Sequence, residues 1–402
     1  MHGRQRLPRP GLTLTLVLQL ILLFIPPQPD AREVRRSMSY IRPYLMGDAH
    51  VAVADEASVL FYNPAGIKGI GATSAELFAP QLQGDELVKL ALLNPDGLSK
   101  QFEGISQTNF SEALDKTLYF DLNLKMPATV IPTSGLAYGI GAEVMGNLEF
   151  LQNPVLPGVH MEFFVDQVMF FTLAFNFTDR FSFGFTPKLI QRYGVDAIFT
   201  IGELFAAGNE ASLDNHPAFK DAAAGNTFSS VGLDLGFLYR FPFVEDWHPR
   251  MGVSMLNIGP NGSHPMGGPA GMEFGPRPGP YNPPQAGELP QINTIGLAVS
   301  PTIDFIRYTV ALDYVDFTRT IIPGKSHNMR TRVGFEMGIG PREDGTAILS
   351  LLAGLNAGHF SAGIMSRVTI FELGFGYYEV ERGAYVGDRP DKRYVFIFGF
   401  RL

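Results

Sequence analysis

His359 and Ser361 stand two residues apart on one face of a strand-like stretch, and an acid beside them would complete a hydrolytic triad. Two small polar residues next to a hairpin are ordinary, so this pair is a thin basis for catalysis. The other histidines, among them His160, His216, His248, His264 and His327, are scattered. None stands at metal-ligand spacing from another His or from acids. The chain has no Cys, which excludes disulfides and thiolate metal sites. Gly66-Ile67-Lys68-Gly69-Ile70-Gly71 is glycine-rich, but it does not lie between a strand and a helix of a βαβ unit and so is no phosphate loop. The residues therefore point to a protein that is not an enzyme and that carries no metal or cofactor.

A second set of chemistry-bearing residues is more orderly. Asp121, Lys125, Glu143, Lys188, Asp234, Arg240, Arg307, Asp313, Arg330, Arg332, Glu336 and Glu372 sit at alternate positions between large apolar residues. Both signs are present, so most are expected to pair across strands or with Asp48, Asp55 and Glu56. Arg307, Arg330 and Arg332, with Glu336 beside them, form the candidate ligand-binding set. A guanidinium there could meet a ligand carboxylate through charge-assisted hydrogen bonds.

Strands must position these charges. Tyr394, Phe396, Phe398 and Phe400 fall on one face at period two, as do Phe371, Leu373, Phe375 and Tyr377. The faces between them hold Gly and charge. Soluble sheets hide the apolar face, whereas a membrane barrel turns it toward lipid and keeps small or polar residues toward the lumen. Some 14 strands can be placed, over 71–80, 117–126, 135–146, 166–177, 180–192, 228–241, 249–258, 291–301, 305–316, 328–339, 347–356, 358–366, 369–380 and 392–401. Their connections alternate long and short, as in barrels with long external loops and short periplasmic turns. The tight hairpin at Asn356-Ala357-Gly358 breaks that rhythm. External loops 85–116 and 202–224 read as holding short helical pieces, and the Pro- and Gly-rich 259–290 as an extended flap. The expected fold is all-β: a transmembrane antiparallel barrel of about 14 strands.

Composition agrees. Charged residues make up 17%, Phe numbers 33 and Gly 44. The formal net charge of −8 gives nucleic-acid binding no support. Arg4, Arg6 and Arg9 precede an apolar run from Leu12 to Ile25 and a small residue at Ala31. That is a signal-peptide pattern over 1–31, too short for a spanning anchor.

Residues 32–69 lie before the barrel, which is expected over 70–402. They hold small residues, a stretch after Asp55 that could be a helix capped there, and a turn at Asn63-Pro64-Ala65-Gly66. A segment of this size would fill a lumen about 14 strands wide. The run from Gly47-Asp48-Ala49 through Asp55-Glu56-Ala57-Ser58 to Asn63-Pro64-Ala65-Gly66 resembles the N-terminal hatch of the long-chain fatty-acid transporter superfamily of outer-membrane proteins. The C-terminal third, with Ala311-Leu312-Asp313-Tyr314 and Leu352-Ala353-Gly354-Leu355-Asn356, is more similar to a divergent branch holding type IX secretion barrel subunits and conjugal-transfer barrels. The resemblance implies a lumenal hatch whose gate residues are Gly47, Asp55, Asn63, Pro64, Ala65 and Gly66. It also implies bacterial outer-membrane localisation beside lipid and lipopolysaccharide. For cargo it leaves two readings: a hydrophobic small-molecule ligand such as a fatty acid, or a role beside other envelope or secretion proteins.

Overall fold

The computed structural model describes residues 38–53, 55–85, 117–151, 158–200, 228–258, 291–318, 327–341, 347–381, 386–387 and 390–402. The expected leader, the helical pieces of 85–116 and 202–224 and the flap 259–290 lie outside these residues.

Two short helices come first, α1 (Ile41–Leu45) and α2 (Val59–Tyr62), followed by a 3-10 turn over Pro64–Gly69. The strands are β1 (Ser74–Gly84), β2 (Thr117–Ile131), β3 (Leu136–Leu151), β4 (Gly158–Asn176) and β5 (Phe181–Thr200). Next come β6 (Phe228–Arg240), β7 (Arg250–Ile258), β8 (Ile292–Val299), β9 (Thr302–Ile303) and β10 (Ile306–Val315). A helical turn, α3 (His327–Arg330), leads into β11 (Thr331–Pro341), β12 (Ala347–Asn356), β13 (His359–Val368), β14 (Phe371–Glu381) and β15 (Pro390–Arg401).

All pairings are antiparallel. β15 returns to β1, and β10 lies between β8 and β11, so the sheet closes on itself as a 14-strand barrel. β9 is a two-residue spur on β10, formed where the sequence suggests only a turn. Closure lets every strand satisfy its backbone groups without water, which hydrocarbon requires.

The outer face is the apolar one. On β14 and β15 the partners Phe371↔Phe400, Leu373↔Phe398, Phe375↔Phe396 and Tyr377↔Tyr394 form an aromatic ladder. Phe375, Phe396 and Phe335 are exposed, while Asp121, Glu143, Lys188, Asp234, Asp313, Glu336 and Glu372 are buried on the opposite face. This is the inside-out arrangement that the alternation predicts.

Two features differ from the sequence reading. β4 and β5 run to 19 and 20 residues, so much of the expected loop 147–165 is strand. Alternation persists there, with Phe164, Asp166 and Val168 buried and Phe163 and Met169 exposed. A tilted strand needs only about 9–11 residues to cross the hydrocarbon. Gln167 and Gln191 are register partners on the outer face of these two strands. The second difference is Arg330, which belongs to α3 rather than to the strand wall.

Phe335→Arg should sharply lower the yield of assembled barrel, because Arg near the bilayer midplane costs about 2–4 kcal/mol. Gly399→Ala, facing inward with Ala79 Cβ 3.2 Å from the new carbon, should assemble. Heat-modifiability on gels checks both. Equal yields would mean that the faces are reversed.

Candidate functional site

Residues 38–70 form the site's frame, and almost all are buried. α2 and the 3-10 turn pack by apolar contact against β2–β6: Val59, Leu60, Phe61, Ala65 and Ile67 share a cluster with Val130, Ala137, Val168, Phe170, Ile190 and Leu238. Phe61 and Phe170 meet edge to face at 5.1 Å. α1 lies against the other arc. Ile41, Leu45 and Met46 cluster with Leu352, Met365, Tyr378, Val395 and Ile397, and Tyr44 stacks on Tyr378 at 4.8 Å.

Asn63 explains its place before Pro64. Its Oδ1 accepts the Ala65 N–H at 3.2 Å, capping the 3-10 turn, and its Nδ2 donates to Val51 O at 2.8 Å and to Phe237 O at 3.0 Å. One amide thereby joins the 3-10 turn, the Val51 backbone of the segment and the wall. Pro64 holds Asn63 in the extended conformation a pre-proline residue favours, with φ −156°. Close approach of backbone to wall explains several lumenal glycines. A Cβ at Gly334 would meet Met46 O at 2.6 Å, and one at Gly184 would meet Ala65 N at 2.5 Å. Gly47 combines a φ of +62° with a wall that leaves its Cα no room for a side chain, Leu355 N standing 2.5 Å from any Cβ. Its N–H donates to Ser361 Oγ at 3.0 Å.

Between the two apolar contacts runs a buried ion network. Arg42 Nη1 pairs with Asp55 Oδ1 at 2.6 Å, and Arg42 Nη2 pairs with Glu336 on β11. Arg307 on β10 reaches Asp55 Oδ2 at 3.3 Å. Arg367 on β13 binds Glu56 at 2.5 Å and Glu372 on β14 at 2.8 Å. Ser58 donates to Glu56 at 2.9 Å and lies 2.7 Å from His50 Nε2, while Ser350 donates to Glu336 at 2.7 Å. Asp313 on β10 accepts the N–H groups of His50 and Val51 at 2.7 and 2.9 Å. Burial alone would raise the Asp55 carboxyl, yet Arg42 and Arg307 hold it far below the usual carboxylate range. Burial likewise opposes ionised Glu56, and Arg367 and Arg42 overcome it.

The structure thus brings Asp55, Arg307 and Glu336 together, with Gly47, Asn63, Pro64, Ala65 and Gly66 on the same segment. Asp55 is no helix cap: α2 starts at Val59 after Ser58, with no side-chain cap. Arg330 stands apart, pairing with Asp316 at 2.6 Å, and Arg332 donates to Met329 O at 2.8 Å. Sequence reasoning missed Arg42, Arg367, His50 and Ser58, whose only signal is polarity inside an otherwise small or apolar stretch. His359 and Ser361 do not face one another chemically: His359 turns to Glu381 at 3.2 Å and Ser361 donates to Leu45 O at 3.1 Å.

The geometry defines a class, a closed transmembrane-type barrel whose interior holds its own N-terminal segment. No family model and no curated protein matches the chain. Among solved structures it is similar to the toluene transporter TodX of Pseudomonas putida, with a TM-score of 0.49, 12% identity, and 92% of this chain and 99% of that one covered. It is similar to the toluene transporter TbuX of Ralstonia pickettii, with a TM-score of 0.45, 11% identity, and 91% and 98% covered. A Pseudomonas aeruginosa FadL homologue matches with a TM-score of 0.45, 10% identity, and 92% and 99% covered. These likenesses, to FadL-like outer-membrane proteins, are of outline only; the barrel itself rests on its strand pairing.

Arg367→Ala would leave Glu56 and Glu372 buried without their shared cation, and breaking such a pair costs about 3–5 kcal/mol. The barrel should stay heat-modifiable while residues 38–70 become accessible to protease. Acid should act differently. The Asp55 and Glu56 carboxyls are both depressed, so their contribution is complete above the ordinary value of about 4 and is lost only as pH falls well below it. Protease protection of the segment should therefore be unchanged between roughly pH 7 and 5. Loss of protection within that window would contradict the network.

Proposed function

We propose that this protein is an outer-membrane channel that passes hydrophobic or amphiphilic molecules, with residues 32–69 as its hatch. The observation that carries the reading is how the lumen is filled. The segment is tied to the wall by side-chain hydrogen bonds, ion pairs and apolar contact, so it can leave without breaking the backbone ladder that closes the barrel. The apolar outer belt supports placement in a membrane, and the leader pattern of 1–31 supports export.

In this reading the external loops collect the ligand and the hatch turns about Asn63-Pro64-Ala65-Gly66. Arg307 and Glu336 gain a defined part, since both belong to the ion network. A ligand carboxylate at Arg307 would displace Asp55 and loosen the segment. Arg330 and Arg332 would meet the ligand earlier, near the loops. The partners are membrane lipid, lipopolysaccharide and the hydrophobic ligand.

Deleting 40–66 should leave an assembled barrel and raise its permeability to small solutes, because a lumen about 14 strands wide has room for water once emptied. Replacing Asn63-Pro64-Ala65 with three Gly should change uptake of hydrophobic compounds more than assembly, since the turn loses its fixed geometry. Uptake assays on intact cells decide it. Unchanged uptake of every compound, with loss of export of another envelope protein, would replace the channel with a secretion component.

A further inference from the structure

Arg240 closes β6 and Arg250 opens β7, and the two are register partners at the short-turn end of the barrel. Both belong to inward faces, since a Cβ on Gly236 or on Gly252, in step with them, would meet Asn63 or Val51 of the segment. Residues directly opposite on one face of an antiparallel pair have Cβ atoms about 4.5–5.5 Å apart, and like charges there repel. Arg307 comes to the same end from β10. It shares a face with Thr309, whose Oγ1 lies 3.3 Å from Ser300 Oγ, and Ser300 Oγ accepts from Arg250 Nη2 at 2.7 Å. Arg240 and Arg307 both repel Arg250, and Asp55 attracts it.

The cations outnumber what could neutralise them. Among the described residues, neither Arg240 nor Arg250 has a carboxylate within ion-pair distance. Arg240 donates to two carbonyls, Asp179 O and Lys68 O, both at the long distance of 3.4 Å. Arg250 Nε is buried with no hydrogen-bond partner. Lys68 Nζ adds a further positive charge and donates to Pro132 O and Thr133 O at 3.0 Å. The carboxylate offered to the group is that of Asp55, 3.3 Å from Arg307, and Arg42 already holds it at 2.6 Å.

A buried guanidinium N–H without an acceptor is costly, and two guanidiniums opposed on one face add repulsion. An oxoanion removes both costs, because the planar fork of Arg matches the paired oxygens of a carboxylate or phosphate. Asp55 departs with the segment, so displacement of the segment takes that carboxylate from Arg307 and leaves the end of the lumen more positive. An amphiphile descending the lumen brings a carboxylate of its own. We infer that Arg240, Arg250 and Arg307 form an oxoanion site at the short-turn end of the lumen, where it receives the carboxylate head of an amphiphile. The amphiphile as source rests on the channel reading; the anion site rests on the arginines alone.

The purified full-length protein in a neutral detergent is titrated calorimetrically with octanoate, octanol and inorganic phosphate. Octanoate should bind more tightly than either of the others. Arg250→Gln and Arg240→Gln should each weaken octanoate about tenfold, the loss of one charge-assisted hydrogen bond, and leave octanol unchanged. Arg250→Lys should fall between. Each Gln variant relieves a like-charge pair, so without anion its barrel should unfold on gels at the same temperature as the native one or higher. Unfolding at a lower temperature would show the arginine to be a structural brace and would overturn the site. Octanoate affinity indifferent to both substitutions would overturn it too. Phosphate bound as tightly as octanoate, with the same loss in the variants, would overturn the amphiphile and leave a site for free anions. The titration measures no passage across the membrane, so its failure is distinct from a failure of uptake.

Discussion

A strand inside hydrocarbon has no water with which to bond its N–H and C=O groups, so each strand must have two neighbours. That constraint governs the whole molecule. It forces β10 to pair with β11 and β15 with β1, and it leaves no free edge among the barrel strands. It also places the apolar side chains outside and so fixes what is left for the inside: Gly, amides, hydroxyls and charges. An interior of that kind is costly to bury unless its polar groups find partners. The N-terminal segment supplies them.

The segment meets the wall in two physical manners. Against β2–β6 it uses apolar area, as Phe61 does on Phe170. Toward β10–β14 it adds charge to the apolar packing of α1: Arg42, Asp55 and Glu56 interlock with Arg307, Glu336, Arg367 and Glu372. Buried ion pairs add little net stability over an apolar filling, because desolvation offsets most of their attraction. They are strict about geometry, however, and each loses its value when one partner leaves. An apolar contact that tolerates sliding, beside a charged contact that does not, gives a segment with one defined position against the wall.

The strands were legible because period two survives any detail of packing. Phe396 and Phe398 declare their face without knowledge of neighbours. The excess length of β4 and β5 was not, since crossing hydrocarbon takes only about 9–11 tilted residues and nothing local in the sequence says how far a strand runs on beyond that. Within the site, Asn63-Pro64-Ala65 stood out because a pre-proline Asn with a following turn has a local signature. Asp55 also drew notice, but as a helix cap; its real partners, Arg42 and Arg307, lie 13 and 252 residues away along the chain. Pairings at such separation leave no trace in one sequence. The lumenal glycines likewise read as small residues in a crowded place, and only contact with Met46 O at Gly334 shows what crowds them.

The central claim is that the segment must leave the wall for the barrel to conduct. A covalent stitch tests it most directly, and the chain has no native Cys to interfere. Tyr44 of the segment stacks on Tyr378 of β14 with ring centroids 4.8 Å apart, so a Tyr44→Cys, Tyr378→Cys pair is placed to be bridged through two disulfides by a short bis-thiosulfonate cross-linker. Uptake of a hydrophobic tracer by cells carrying this protein is measured before and after reduction. The account predicts that the bridged form is closed and that reduction restores uptake. Equal uptake in the two forms would contradict it, because the tracer would then pass with the segment still fastened to β14.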